Sequence, residues 1–156
     1  KKPGPSTGFR LGRSVAPSIN IHGKVMPKPF VVQERVRWGD IDLAGIIRYD
    51  AYIRFFEMGE GEIFREAGLA IGNLAERLGV WLPRKLLHAE FETPAVLDEQ
   101  LTVLTWFSRI GNTSLTINFD VMDEEQKVRR AFGHEVLVCV GGPEMVPAAE
   151  RLPAAG

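Results

Sequence analysis

Residues 50–67 carry a helical apolar period, and almost every apolar stretch after them runs at a strand period. That order constrains the fold more than any other feature. Within 50–67, Tyr52, Phe56, Ile63 and Ala67 fall on one helical face, with Ile53 close by. Asp50 is suited to cap the start of this helix and Gly68 to end it. Gly59 and Gly61 each weaken a helix interior by about 1 kcal/mol relative to Ala. Close approach of the helix backbone to a sheet or a partner is the compensation they predict. Before the helix, Phe30, Val32, Val36 and Trp38 share one face of a strand over 30–38.

A short helical turn over 71–78 comes next, followed by strand after strand. Leu87, Ala89 and Phe91 alternate with His88, Glu90 and Glu92. Residues 101–107 are apolar on both faces, as in a central strand. Leu115, Ile117, Phe119 and Val121 alternate with Thr116, Asn118 and Asp120, and 132–140 is a further long strand in which Phe132, His134 and Val136 share a face. That placement makes His134 a core or interface residue. Turn residues stand between the strands at Gly111-Asn112 and Asp123-Glu124-Glu125. The order β-α-β-β-β-β predicts an α+β domain, with an antiparallel sheet of five or six strands wrapped around one long helix.

A chain of 156 residues suits one such domain, over 29–156. Residues 1–28 read as an N-terminal tail or leader, rich in Pro, Gly and Ser and without periodicity. The first 25 carry five basic residues and no acid, so the rest holds 14 basic and 20 acidic groups. An acidic body argues against nucleic acid as the main partner, because phosphate neutralisation needs basic surface. No apolar run approaches the ~20 residues that cross a bilayer. Cys139, the one cysteine, cannot form an internal disulfide, which fits a reducing compartment and a cytoplasmic location; within an apolar strand it reads as inert core. No His/Cys spacing suggests a metal. Gly59-Glu60-Gly61 is mid-helix rather than a phosphate loop, no Gly-x-Ser-x-Gly elbow occurs, and no cofactor is expected.

The chemistry concentrates between the first strand and the helix, in Trp38-Gly39-Asp40-Ile41-Asp42-Leu43-Ala44-Gly45-Ile46-Ile47-Arg48-Tyr49. Carboxylates beside a helix N-terminus sit where backbone N–H groups converge and the dipole is positive. Such a place can hold an ionised Asp and polarise a substrate carbonyl. From the residues alone, Asp42 is equally a loop carboxylate that satisfies neighbouring N–H groups. Asp40 reads as a brace for the loop, and Gly45 as a turn glycine or a point of close backbone approach to a substrate.

This motif, with Tyr52, Phe55-Phe56-Glu57 and Phe91-Glu92-Thr93-Pro94 ahead of Asp98-Glu99, resembles the 4-hydroxybenzoyl-CoA thioesterase family of the hotdog superfamily over about residues 30–145. The resemblance implies a hotdog fold and hydrolysis of an acyl-CoA to free acid and coenzyme A. It makes Asp42 the catalytic carboxylate, as nucleophile or general base, and places the oxyanion contact on a backbone N–H at or beside Tyr49. Glu57 matches an acidic family position that can orient substrate or water; a solvated helix flank is the other reading. Gly45, Ile46 and Arg48 become candidate substrate-binding residues, with Arg48 a partner for a charged acyl tail. Glu60 lies nearer the apolar face and has no family role. The family's site lies between subunits, so a homodimer or homotetramer is implied. Leu43 and Arg48 depart from the residues usual in relatives, as does the extra carboxylate of Asp50, which bears on the acyl group rather than the reaction.

Three other readings stand beside this one. Carrier-protein-linked acyl or polyketide chains are a second substrate class, and a non-catalytic acyl-binding module is a third reading of the same pocket. Hotdog dehydratases need a His near the helix start, whereas the histidines here are His22, His88 and His134. Arg109, Lys127, Arg129 and Arg130, at turns or strand ends, are candidates to meet the phosphates of coenzyme A.

Overall fold

The computed structural model describes residues 28–141. His22 and, apart from Lys28, the expected tail lie outside them. Strand β1 (Phe30–Arg35) leads through a single-turn 3-10 helix (Trp38–Asp40) and a loop into α1 (Ala51–Glu66). A second single-turn 3-10 helix (Ile71–Asn73) and α2 (Leu74–Leu78) follow. Next come β2 (Val80–Trp81), β3 (Arg84–Phe91), β4 (Gln100–Ile110), β5 (Ser114–Asp123), β6 (Arg129–Val138) and β7 (Val140–Gly141). The five longer strands form one antiparallel sheet in the order β1-β4-β5-β6-β3, and β2 pairs with β7 apart from it. Strands β1 and β3 are therefore the edges.

Helix α1 lies across one face of this sheet. Phe55 and Phe56 are fully buried. Phe56 stacks on Phe119 of β5 with ring centroids 4.7 Å apart, and Phe64 meets Phe107 of β4 edge-on at 5.7 Å. Each such ring, taken from water into the core, contributes about 1.5–3 kcal/mol. Gly68, at φ +73°, stops the helix as its sequence position predicts. Asp50 sits at the N-cap but makes no side-chain cap hydrogen bond; its carboxylate pairs with Arg48 at 3.2 Å. That corrects the capping role read from the sequence.

Gly59 and Gly133 set how closely helix and sheet approach. A Cβ on Gly59 would overlap Thr105 Oγ1 and come within 3.2 Å of Val103 Cγ1. A Cβ on Gly133 would overlap the His88 carbonyl oxygen and come within 2.9 Å of the Phe56 ring. With the helix this close, the β6 row that faces it is Ala131, Gly133, Glu135 and Leu137, all buried. Phe132, His134 and Val136 are on the opposite face, where His134 rests against His88 with ring centroids 5.2 Å apart. His134 is thus outside the helix–sheet core. Cys139 falls just past β6 and is half-buried, so it is not core either. Trp38 leaves the strand face it was expected to share, lying in the 3-10 turn at 83% exposure, while Val36 is fully buried.

Candidate active site

The loop between β1 and α1 is built around a buried aspartate. Asp40, 6% exposed, accepts the Arg37 N–H at 2.8 Å and two hydrogen bonds from the Arg54 guanidinium, at 3.1 and 2.5 Å. Its own carbonyl accepts the Arg48 N–H at 2.8 Å. Burial works to raise the Asp40 carboxyl, but the Arg54 hydrogen bonds, the Arg37 N–H and the charges of Arg54 and Arg37 outweigh it and hold it below the usual carboxylate range. Asp40 is therefore the brace that ties the loop to the first turn of α1.

Arg54 is 30% exposed and keeps Glu34 at 3.8 Å once Asp40 is gone, so Asp40→Ala is expected to cost about 1.5 kcal/mol in urea unfolding. Because the folded-state carboxyl is lowered, its contribution is present above its ordinary value of 3.8 and is lost as pH falls through and below it. The variant should lack that acid-side loss. A variant as stable as the native chain would mean the pair contributes nothing.

Beyond Asp40 the chain makes a tight hairpin. Ile41 bridges Ile47, the Asp42 N–H bonds the Ile46 carbonyl at 3.0 Å, and Gly45 turns the loop at φ +77°. The far side of the hairpin is strapped to the segment before β4. Ile46 bridges Val96, the Ile47 N–H bonds the Ala95 carbonyl at 3.0 Å, and the Tyr52 hydroxyl accepts the Ala95 N–H at 3.3 Å. Asp42 is held on this rigid hairpin with its carboxylate exposed, Oδ1 accepting the Ala44 N–H at 2.7 Å. One carboxylate oxygen thus fixes the loop, on a side chain that is otherwise exposed.

The structure gathers Asp42, Gly45, Ile46, Arg48 and Tyr49 on this one loop, immediately ahead of α1. Ile46 is half-buried; Arg48 and Tyr49 are exposed. Among the described residues no acceptor takes the Tyr49 N–H, which leaves it a free donor at the helix approach. Glu57 is farther along α1, exposed on the helix flank and not gathered with the loop. Around Asp42 the surface is unusually apolar: Trp38, Leu43, Tyr49 and Val96 are between 51% and 109% exposed.

The basic residues expected to gather for phosphates do not do so. Arg129 is paired with Glu92 and Asp120 and stacks on Phe132, while Arg130 is paired with Glu99. Lys127 pairs with Glu125 at the β5–β6 turn, and Arg109 lies at the other end of β4, across from Thr116. The charges of Lys127, Arg129 and Arg130 are met within the chain, and the exposed Arg109 stands apart from them. A polar cluster that sequence reading did not assemble joins Glu60, Arg84 and Glu135 under α1. Helical arithmetic placed Glu60 toward the core, but its partners are 24 and 75 positions away and no local pattern connects them.

The pattern of the Thioesterase-like superfamily matches residues 36–150. The chain is 26% identical over 115 residues to the acyl-CoA thioester hydrolase YbgC of Escherichia coli O157:H7, covering 74% of this chain and 84% of that one. A probable thioesterase from Bartonella henselae superposes with a TM-score of 0.68 at 22% identity, over 76% of this chain and 99% of its own. Slr0204, a 1,4-dihydroxy-2-naphthoyl-CoA thioesterase from Synechocystis, does so at 0.69 and 18% identity, over 74% and 85%. These two likenesses concern the fold, which is the hotdog arrangement of one helix against an antiparallel sheet. With its hairpin, α1 and strands β2 to β7 all inside the matched span, the chain belongs to the Thioesterase-like superfamily.

Proposed function

We propose that this protein hydrolyses acyl-CoA thioesters, with Asp42 as the catalytic carboxylate. The observation that carries the proposal is the exposed Asp42 carboxylate, fixed by its own loop just ahead of a helix start where the Tyr49 N–H is free. A thiolate leaves readily, its conjugate acid titrating near that of cysteine, about 8.5. The reaction therefore needs a nucleophile or base and a donor for the developing oxyanion, more than it needs a strong acid. Asp42 either attacks the carbonyl carbon, expelling the thiolate and leaving a mixed anhydride that water cleaves, or takes a proton from a water that attacks. The Tyr49 N–H meets the carbonyl oxygen in both routes. Gly45 and Ile46 border the acyl group and Arg48 sits at its outer end; Glu57, on the helix flank away from this loop, takes no part.

The apolar surface around Asp42 and the free edge of β3, with Leu86, Leu87 and Phe91 each 44–49% exposed, support a homodimer whose subunits meet at this edge. Antiparallel self-pairing there brings the Phe91 end of each β3, and the Asp42 loop beside it, toward the partner. Lysine at both Leu86 and Leu87 should shift sedimentation toward monomer and depress hydrolysis together. A variant that stays dimeric and fully active would remove the shared-edge reading. The single cysteine fits cytoplasmic residence. Among the described residues no helix is long and apolar enough to cross a membrane.

A panel of aryl, short, medium and long acyl-CoAs, with one carrier-linked thioester, tests the activity by thiol release. Turnover of at least one CoA ester is expected. Turnover of the carrier-linked ester alone would move the substrate class, and turnover of none would leave an acyl-binding module.

A further inference from the structure

A second group of charges sits inside the helix–sheet interface, away from the Asp42 loop. Glu60 projects from the third turn of α1, Glu135 from β6 and Arg84 from the first residue of β3. Glu60 and Glu135 are 4% and 1% exposed. Arg84 donates from Nε to Glu135 Oε2 at 2.6 Å and from Nη2 to Glu60 Oε2. Two buried carboxylates thus share one guanidinium, whose own side chain remains 45% exposed. If both were ionised, one negative charge would lie buried without compensation, which is strongly disfavoured.

Among the described residues no cation other than Arg84 pairs with either carboxylate. The residues in line with Glu135 across the sheet are Leu87, Ile117 and Phe107, all apolar. The remaining ionisable neighbour is Glu57, one turn earlier on α1, and its charge acts against ionisation of both buried acids.

We propose that Glu60 and Glu135 hold one proton between them at neutral pH, and that this protonated pair, clamped by Arg84, positions the leading end of β3 against α1. Burial first, and then the charge of Glu135, push the Glu60 carboxyl up to about 7; burial pushes Glu135 upward as well. The pair titrates as a unit. The clamp is placed beside an irregularity of the ladder, where the β3–β6 register shifts between Arg84 and Leu86. Its consequence for the shared edge rests on the homodimer reading above; the proton itself does not.

Glu60's folded-state carboxyl is raised from 4.5 to about 7, so the stability tied to its proton is full below 4.5 and is lost as pH rises through about 7. Thermal unfolding of the native chain and of Glu60→Gln, followed from pH 5 to 9, reads this directly. The native Tm should fall relative to the variant across pH 5–8, with Glu60→Gln the more stable of the two at pH 8. In the native protein, carbon-13 NMR should show one glutamate carboxyl titrating near 7 that is absent from Glu60→Gln. A variant less stable than the native chain by the same amount at every pH would make the cluster a plain ion pair and overturn the proposal. Should Glu60→Gln fail to fold, the native titration decides: every glutamate carboxyl titrating below 5.5 overturns it, and one near 7 supports it. Neither readout uses hydrolysis, so loss of the Asp42 reading would be seen separately.

Discussion

Asp42→Asn is expected to lower kcat on any acyl-CoA substrate by about 10²–10⁴-fold, the span that a positioned base or nucleophile supplies, while KM moves little. The substitution is nearly silent for the fold. Asparagine keeps an oxygen to accept the Ala44 N–H, the one hydrogen bond the Asp42 side chain makes within the loop. The hairpin's other ties, from Ile41 to Ile47 and from Ile46 to Val96, are main-chain. Thermal stability should therefore be unchanged, and the kinetic loss isolates the negative charge. Tyr49→Phe makes the contrast, because its assigned role belongs to the backbone N–H and the 74% exposed ring has few neighbours to lose. Its kcat should stay within a few-fold of native. A full loss at Tyr49→Phe beside near-native Asp42→Asn would reverse the assignments.

The largest effect on stability is expected at Gly133. The nearest obstacle to an added methyl is the His88 carbonyl oxygen, a backbone atom in the β3–β6 ladder, and the second is a fully buried ring. Neither can yield without parting β3 from the sheet or lifting α1 away from it. Gly133→Ala should destabilise by about 3 kcal/mol, the upper part of the range for overpacking, which in a domain this size lowers Tm by roughly 10 °C. Gly61→Ala should do the reverse. A Cβ there meets nothing within 4 Å, so the variant gains helix propensity worth up to about 1 kcal/mol. Equal behaviour of the two in thermal unfolding would contradict the close approach inferred at Gly133.

These two glycines also show what the sequence could and could not convey. The pair Gly59 and Gly61 signals a helix backbone pressed against something, yet only Gly59 is at the contact; helical spacing does not say which of two near neighbours faces the sheet. On β6 the apolar pattern points the wrong way. Phe132 and Val136 look like the core face, but where α1 comes closest only small residues fit, so Ala131 and Gly133 face inward with Glu135 and Leu137, and Phe132 and Val136 face out. The alternation of β5 and the long helix were legible because size and polarity agree there. The hairpin's chemistry was legible because Asp40, Asp42, Gly45 and Tyr49 are local in sequence. Asp40 as a brace could be foreseen; its partner Arg54, 14 positions on, could not. Likewise, Glu60 was placed toward the core by arithmetic, while Arg84 and Glu135 reach it only through the sheet order.

The most direct test of the Asp42 assignment is a crystal structure of Asp42→Asn with an uncleaved acyl-CoA thioester bound. The account predicts the thioester carbonyl oxygen within hydrogen-bond distance of the Tyr49 N–H, about 2.7–3.2 Å, and its carbon facing the side chain at position 42. A thioester seated elsewhere on the protein, with residue 42 facing empty solvent, would contradict it.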